Sequence, residues 1–589
     1  MHPAKIKILI FILLSCLLLW EVPSAQEGDL EFILDANSKT IPLPRIFRPN
    51  IDLSGRGVYL QSGWPKDLAA PEVLDIWQQD FGFNGIYRLQ YNLWEIHEAA
   101  KTKEQQGALL SNYDAIFKRI TDSGGVIIVD IFGMPAGLGK VLDKISAPRN
   151  LKGFKEYVKG AIRALSCEKR YNIWYEAWNA PDREDFFLGR KQEYLNLYRT
   201  IAEAVQELRA ETKVHIPLGG PGSSSWFQSG DLNTIITPEK SLIYSLIKFC
   251  SRYRLPLDFI TWHGYSSDPQ IEKEITRYKK NGIALIREWL SYFHFERNTP
   301  LIVDEWDCDD GINVSPGRQE KAHIAASFIP ARLKNMHEAG LDYQLYFCLE
   351  DFHDQKGAIA KNSGIFSFDH EASKYKGNPR VIYNTFQMLN RLGSDLFAGA
   401  LKPEDEFAGV ISTKAQDYFA VIVYNYIDPN AGKNYIFRNI AGLSGGSRNI
   451  LLRLIKLNRL EKILSGETDL ARVHADKKLK AILKKAHELN LQARKFMVNP
   501  RNIKIVIRNL KEKYLYQRYK IDSSCVLDCK FFPLEEKEID TPESYQEILA
   551  LNPYSVNMII LKKKPPEPQV IAAAEEEKSA AHPVSNTTN

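Results

Sequence analysis

Short apolar runs alternate with amphipathic stretches over the middle of the chain. Residues 124–131 and 301–305 have the composition of buried strands, whereas residues 192–208 repeat apolar positions with the period of a helix. This alternation continues from about residue 82 to residue 364. It predicts parallel βαβ units, and about eight such units that close on themselves form a barrel. We therefore expect an α/β protein with a (β/α)8 TIM barrel over residues 45–395.

Beyond residue 393 the pattern becomes that of an antiparallel sheet. Apolar runs at residues 418–426, 503–507 and 555–561 are not followed by the amphipathic helix that a barrel unit requires. Residues 31–34, before the barrel, have the same character. The sequence predicts a β-sandwich built from residues 30–44 and 396–564.

One helical segment interrupts the predicted sandwich at residues 469–498. Its apolar positions recur at helical spacing, and its polar face carries lysines such as Lys477 and Lys484. From residue 448 to residue 520 there are 20 Lys and Arg against six Asp and Glu, whereas the net charge of the whole chain is +5. This basic segment is either a solvated helix face or a patch for an acidic polysaccharide or another anionic surface.

Both ends of the chain predict segments outside the folded domains. Lys5 and Lys7 precede an apolar run at residues 8–20, and small residues follow near Ser24. This is the pattern of a signal peptide at residues 1–25, so we expect an exported protein, periplasmic or secreted. If the segment is not cleaved, it anchors the protein and is the membrane contact. Residues 565–589 are rich in Pro, Ala, Glu and Ser, which predicts a disordered tail.

Export would permit disulfides among the cysteines that remain after the signal peptide. Cys525 and Cys529, if they lie on one strand, are too far apart to bridge each other. The Cys and His spacings do not fit a metal site, so we expect neither metal nor cofactor. No nucleotide-binding loop or nucleic-acid module is apparent, so we expect no nucleic-acid partner. An aromatic content of 11% suits a sugar-stacking cleft as well as a large core.

Two strand ends carry the residues of chemical interest, at 176–182 and 303–306. Barrel enzymes place their chemistry at the carboxyl ends of the strands. A retaining glycosidase needs two carboxyl groups about 5–5.5 Å apart, one to attack the anomeric carbon and one to act as acid and base. Strands four and seven of a barrel can supply such a pair.

At these strand ends the chain resembles glycoside hydrolase family 39, which includes β-xylosidases, α-L-iduronidases and exopolysaccharide hydrolases. The family motif Glu-Val-Trp-Asn-Glu-Pro is similar to residues 176–181, and its Glu-Trp pair is matched by Glu305 and Trp306. Residues 192–198, 218–221 and 257–265 resemble, in order, the next helix and strands five and six. The resemblance covers roughly residues 45–562, apart from the helical segment.

The resemblance implies a nucleophile at Glu305 but a vacant acid/base position, because the family's second glutamate falls on Ala180. Glu176 lies four residues back, about 13 Å along a strand, and cannot substitute. Asp182 or Glu184 in the following loop remains a candidate substitute. In the family's Arg-x-His motif, Gln90 replaces the histidine after Arg88.

The remaining candidates are substrate-binding residues, each of which has a structural alternative. They are Arg88, Gln90, Asn179 as a contact to the sugar 2-hydroxyl, His263 and Tyr265 as cleft lining, Trp306 as a sugar platform, and Asp351 at the last strand end. We expect a retaining O-glycosyl hydrolase that acts on or binds an oligosaccharide or polysaccharide. The alternatives are an inactive carbohydrate-binding pseudoenzyme and an envelope assembly protein.

Overall fold

The computed structural model describes most of the chain between residues 30 and 564. The predicted signal peptide at 1–25 and the predicted tail at 565–589 lie outside the described residues. Within residues 30–564, the structure describes all but 56–62, 227–236, 309–321, 354–358, 362–363, 368–376, 400, 511, 527–528 and 542. In the part of the chain that is described, no helix is long and apolar enough to cross a membrane.

A closed barrel of eight parallel strands forms the centre of the molecule, which confirms the predicted fold class. Each strand pairs in parallel with its neighbours in chain order, and the last strand returns to the first through Tyr346 and Ile51. We number the barrel strands one to eight. They are Ile51–Asp52, Ile86–Asn92, Val126–Phe132, Ile173–Ala177, Leu218–Ser223, Phe259–His263, Leu301–Trp306 and Tyr343–Tyr346.

Amphipathic helices connect the barrel strands and bury their apolar faces against the barrel. Asn92, Thr102 and Asn150 cap three of these helices with side-chain oxygens, which satisfies amide groups that the first turn leaves free. The helices are Pro71–Phe81, Leu93–Ala99, Lys103–Asp122, Leu151–Ile162, Lys191–Thr212, Leu242–Tyr253, Gly282–Tyr292, Ala322–Ala339 and Val381–Asn390.

Two further sheets pack together as the predicted sandwich. In the smaller sheet, Leu30–Asp35 runs parallel to Arg501–Arg508, which pairs with Ser544–Leu551. The predicted strand before the barrel is thus confirmed. Phe32, Val421 and Ile505, from both sheets, share one apolar core. The larger sheet has the order Thr40–Pro42, Asp395–Phe397, Ala408–Lys414, Tyr418–Asn425, Ser555–Lys563, Lys513–Ile521 and Glu535–Asp540. Two small hairpins pair Phe352–His353 with Ile359–Lys361, and Phe366–Ser367 with Asn378–Pro379.

The helical insert is longer than the sequence pattern predicted. It begins at Ala431, not near residue 469, because its first half consists of short helices separated by glycines and by Asn458 in a left-handed conformation. The insert helices are Ala431–Asn439, Gly445–Lys456, Arg459–Ser465 and Lys477–Phe496. They share a core of their own that includes Ile436, Leu451, Ile463, Leu479 and Leu483. The insert is therefore a small helical bundle.

Cys525 and Cys529 form a disulfide, which corrects the expectation that they are too far apart. They do not lie on one strand: Cys525 follows the turn after Lys513–Ile521, and the two Cα atoms are 5.2 Å apart. Among the other described cysteines, Cys167 and Cys250 carry free thiols.

Candidate active site

Arg88, on barrel strand two, lies at the centre of the strand ends. Its Nη1 donates to Glu305 Oε1 at 2.7 Å and to Asp52 Oδ2 at 2.9 Å. Its Nε donates to Glu176 Oε2 at 2.8 Å, and its Nη2 donates to the side-chain oxygen of Asn179 at 3.1 Å. The guanidinium thus ties together strands one, two, four and seven. The planar fork of arginine suits such multiple contacts better than an ammonium group would.

Acidic groups outnumber cations around Arg88. Asp130 and Asp304 each lie 3.7 Å from one of its nitrogens, in addition to the three carboxylates that it binds directly. Burial raises the pKa of Asp130 and that of Asp304, and it raises the pKa of Asp52 to about 6. Burial would lower the pKa of Arg88, but the carboxylates around it raise that pKa instead. Burial thus favours the protonated forms of these carboxyl groups, which opposes the build-up of negative charge in the cluster.

The carboxylate of Glu305 is held from three sides. Besides the bond from Arg88, the Tyr265 hydroxyl donates to Oε2 at 2.8 Å, and Nδ1 of His263 lies 3.4 Å from the same oxygen. Burial lowers the pKa of His263, which favours the neutral ring, and burial together with Glu305 raises the pKa of Tyr265. The phenol therefore remains a hydrogen-bond donor. The structure brings Glu305 together with His263 and Tyr265, which the sequence predicted as cleft lining, and these contacts orient the carboxylate.

Ala180 lies at the end of strand four in a rigid backbone. Its φ angle is 42°, and that of Trp178 is 77°, so the chain turns sharply out of the strand. The Ala180 amide donates to the Gly222 carbonyl at 2.8 Å, and the Ala180 carbonyl accepts from the Arg183 amide at 3.0 Å. The backbone of the predicted acid/base position is thus fixed, although its side chain carries no acid.

Glu176 lies beneath this position and is fully buried. Its Oε2 accepts from Arg88, and its Oε1 accepts from the Thr261 hydroxyl at 2.9 Å. Gly222 has a φ of +55°, and a Cβ atom there would lie 2.2 Å from Oε1 of Glu176. Glu176 is therefore packed in place, which supports the prediction that it does not substitute for the missing acid.

The two loop carboxylates do not replace the missing glutamate in this conformation. Both oxygens of Asp182 accept from Ser224, one from the backbone amide at 2.9 Å and one from the hydroxyl at 2.7 Å. Glu184 is exposed. Because Ser224 occupies the carboxylate of Asp182, proton transfer by Asp182 would require the loop to open.

Asp52 is the carboxyl group near Glu305 that sequence reasoning did not identify. The bound oxygens of Asp52 and Glu305 are at most 5.6 Å apart, since both lie on Nη1 of Arg88 at 2.9 and 2.7 Å. This upper bound includes the spacing of about 5–5.5 Å that a retaining pair has, as well as shorter spacings. However, Asp52 is fully buried and also accepts from the Ser54 amide. Its carboxylate thus contacts Arg88 and Ser54 and is shielded from solvent.

Two predicted substrate contacts prove to be structural. Trp306 is fully buried, and its indole donates to the Gln344 side chain at 2.7 Å. This corrects the prediction of a sugar platform, which needs an exposed ring face. Asp351 is also fully buried and forms a two-pronged ion pair with Arg380. This corrects the prediction that Asp351 lines the last strand end.

Gln90 lies on strand two, two residues after Arg88, and is partly exposed. Its amide donates to Asp130 at 3.3 Å. Glutamine at this position cannot take up a proton as a histidine would. In the part of the chain that the structure describes, no three His, Cys, Asp or Glu side chains are placed to hold a metal ion.

The site thus consists of a parallel (β/α)8 barrel whose strand ends carry the Glu305 carboxylate and an arginine-centred network of carboxyl groups. Residues 143–429 match the family model described as glycosyl hydrolases family 39. This part of the chain, which carries barrel strands four to eight, is thus similar to glycoside hydrolase family 39.

Two curated relatives are β-xylosidases. The protein of Caldicellulosiruptor saccharolyticus is 21% identical over 373 residues, which cover 59% of this chain and 70% of the relative. That of Geobacillus stearothermophilus is 30% identical over 273 residues, which cover 43% of this chain and 48% of the relative. The match to the second thus spans about half of its length.

Solved structures share the fold over nearly the whole chain. The GH39 enzyme from Xanthomonas axonopodis pv. citri aligns with a TM-score of 0.60 at 13% identity and covers 92% of this chain and 100% of its own. A monomeric β-xylosidase from Caulobacter crescentus CB15 aligns with a TM-score of 0.58 at 13% identity, with coverages of 90% and 99%. At these identities the similarity concerns the fold.

Proposed function

We propose that the protein is a retaining glycosidase that has kept its nucleophile, Glu305, and lost its built-in acid at Ala180. The observation that carries this proposal is the complete support of the Glu305 carboxylate by Arg88 and Tyr265. The substrate class we propose is a β-xyloside or a related oligosaccharide, as the names of the relatives suggest.

In the proposed reaction, Glu305 can form the glycosyl ester, but the later hydrolysis of that ester is slow. Glu305 attacks the anomeric carbon, the bond to the leaving oxygen breaks, and a glycosyl ester forms. Without an acid at position 180, the leaving group departs unprotonated, so activated aryl glycosides react much faster than alkyl glycosides. Hydrolysis of the ester is slow because no base activates the water. General acid–base help of this kind is worth about 10²–10⁴ in rate.

The first experiment restores the acid with Ala180→Glu and uses Ala180→Gln as the control of equal size. Turnover of an alkyl or natural xyloside should rise by about 10²–10⁴ with glutamate and stay at the parent level with glutamine. A folded Ala180→Glu protein without any gain on a broad panel of glycosides would contradict the proposal.

A second experiment tests Glu305 directly in the parent protein. Azide, added with 2,4-dinitrophenyl β-xyloside, attacks the anomeric carbon of the ester and releases the carboxylate of Glu305. The expected product is a glycosyl azide of retained configuration. Glu305→Gln should abolish it. If the parent forms no azide but still binds xylo-oligosaccharides, the protein is a carbohydrate-binding pseudoenzyme.

We further propose that the insert binds acidic polysaccharides. From residue 431 to residue 496 it carries 15 Lys and Arg against five Asp and Glu. Lys477, Lys480 and Lys484 are exposed on one helix. Replacing these three by glutamine should weaken binding to polyuronate in a salt-dependent manner. The same replacement of the exposed residues Lys101, Lys103 and Lys118 is the matched control. Equal losses in both variants would exclude a specific patch.

Export to the periplasm or the medium is also proposed. The basic and apolar pattern at residues 5–20 supports it, and the disulfide between Cys525 and Cys529 fits an oxidising compartment. Amino-terminal sequencing of the protein from periplasmic and membrane fractions distinguishes a cleaved signal from a retained anchor.

A further inference from the structure

The helical insert is connected to the loop that follows barrel strand six. Arg438, on the insert helix Ala431–Asn439, is buried and pairs with Asp268 of that loop, with 2.5 Å between Nη1 and Oδ1. The Arg438 carbonyl accepts from the Ile275 amide at 2.9 Å. Two contacts of different kinds therefore join the insert to one loop of the barrel.

The helix that carries Arg438 is fixed within the insert. Ile436 and Ile440 belong to the apolar core that Leu479 and Leu483 of the long helix complete. Gly432 approaches that helix so closely that a Cβ atom would lie 2.3 Å from the carbonyl oxygen of Ala486. Arg438 therefore lies on a tightly packed bundle, so it moves only when the whole insert moves.

Arg332 continues the connection toward the cleft. It is fully buried on the helix Ala322–Ala339. Its Nη1 donates to the Asp268 carbonyl at 2.9 Å, and its Nη2 donates to the Gly264 carbonyl at 2.9 Å. Arg332 also pairs with Glu272 at 2.5 Å. Asp268 therefore contacts Arg438 through its side chain and Arg332 through its backbone carbonyl.

Gly264 lies between the two residues that hold Oε2 of Glu305. His263 precedes it and Tyr265 follows it, and the Gly264 amide donates to the backbone carbonyl of Glu305 at 2.7 Å. Any displacement of Gly264 therefore moves the hydroxyl that donates to Glu305. The contacts run without interruption from the insert through Arg438, Asp268, Arg332 and Gly264 to the candidate nucleophile.

We propose that Arg438 is a positioning residue for Glu305, acting through Asp268, Arg332 and the backbone of Gly264. The helical insert is then part of the framework of the active site. This inference rests on the proposed role of Glu305. It assigns the insert a task that is separate from any binding by its exposed lysines.

The test compares Arg438→Met with Arg453→Met, a matched change at an exposed position of the same insert. The first readout is the ¹⁹F signal of 3-fluorotyrosine placed at position 265, which reports the hydrogen bond to Glu305 without requiring turnover. Arg438→Met should shift this signal, Arg438→Lys should restore part of it, and Arg453→Met should leave it unchanged. A folded Arg438→Met protein with an unshifted signal would overturn the proposal.

The second readout is the rate at which 2,4-dinitrophenyl β-xyloside forms the glycosyl ester, followed by mass spectrometry. Arg438→Met should lower this rate by roughly 10-fold to 100-fold, as expected when a catalytic group is displaced by a fraction of an ångström to an ångström. If Arg438→Met does not fold, Asp268→Asn replaces it in both measurements. If the parent forms no ester, the proposed function fails, while the ¹⁹F signal still decides the role of Arg438.

Discussion

Asp52 and Glu305 accept hydrogen bonds from the same nitrogen of Arg88, at 2.9 and 2.7 Å. Two carboxyl groups on one donor interact strongly. Burial is the main cause that raises the pKa of Asp52 to about 6, and the charge of Glu305 raises it further. The charge of Asp52 therefore changes within the range of pH in which a glycosidase works, and it changes next to the nucleophile.

The first prediction concerns this charge. Attack disperses the negative charge of Glu305, and an ionised neighbour favours that dispersal. The rate of ester formation should therefore rise roughly 10-fold as the pH passes through about 6. Asp52→Asn should lack this step in a pH profile measured with an activated aryl glycoside. Ser54→Ala, which leaves the Asp52 carboxyl in place, should retain the step. A step of equal size in Asp52→Asn would assign the titration to another group.

The second prediction concerns Asp182, whose two oxygens are bound by Ser224. Because the carboxylate is occupied, Asp182→Asn should change the rate of ester formation by no more than about twofold. A substitute acid would lose about 10²–10⁴ on the same change. Measurements with aryl glycosides of increasing leaving-group pKa separate the two cases, since a lost acid steepens that dependence.

The third prediction tests the packing beneath Ala180. Gly222→Ala adds a Cβ atom 2.2 Å from Oε1 of Glu176 at a φ of +55°, so the variant should lose about 1–3 kcal/mol of unfolding free energy. Gly160→Ala is the control, since its Cβ meets no atom within 4 Å in the helix Leu151–Ile162. The control should be neutral or stabilising in denaturant titrations. Equal stability of the two variants would contradict the tight packing described for Glu176.

The fourth prediction uses Glu274, at the junction between the insert and the barrel. Burial, with Asp268 and Glu272 nearby, raises its pKa from 4.5 to about 8, while Arg438 opposes the rise. The folded protein therefore binds a proton that the unfolded chain releases between pH 4.5 and 8. Over this range the group's contribution to stability falls as the pH rises, by at most about 1.4 kcal/mol per pH unit.

Glu274→Gln should remove that part of the pH dependence. Urea titrations at several pH values between 5 and 8 measure the slope for both proteins. An exposed carboxyl such as Glu184 provides the control, because Glu184→Gln should leave the slope unchanged. Parallel curves for the parent and Glu274→Gln would mean that Glu274 is ionised in the folded state.

The sequence pattern predicted the larger elements because their signals are local. Buried strands such as Val126–Phe132 and Leu301–Trp306 are nearly continuous apolar runs, and the strand before the barrel alternates clearly. The first half of the insert was missed because helices of seven to 12 residues, separated by turns, produce no long period. The disulfide was missed because the prediction assumed an extended strand at Cys525.

In the site, too, the sequence pattern identified residues from their own strand, but not contacts between distant strands. Glu305, Tyr265 and His263 lie at recognisable strand ends, so the sequence could assign them. Asp52 was overlooked because its relation to Glu305 depends on a shared nitrogen of Arg88, and these residues lie on strands one, seven and two, far apart in the sequence. The burial of Trp306 depends on packing against Gln344, which no pattern in its own strand reveals.

The parallel pairing of Leu30 with Ile503 has a consequence for how the protein is made. During synthesis the strand Leu30–Asp35 must wait for a partner some 470 residues later. At about 5–20 residues per second this delay is roughly half a minute to a minute and a half. During that time the ribosome has released the entire barrel, while one edge of the future sandwich is uncovered. A chaperone or the barrel itself must shield Leu30–Asp35 until the carboxyl-terminal strands are synthesised. A truncation near residue 500 would remove the strand with which Leu30–Asp35 pairs.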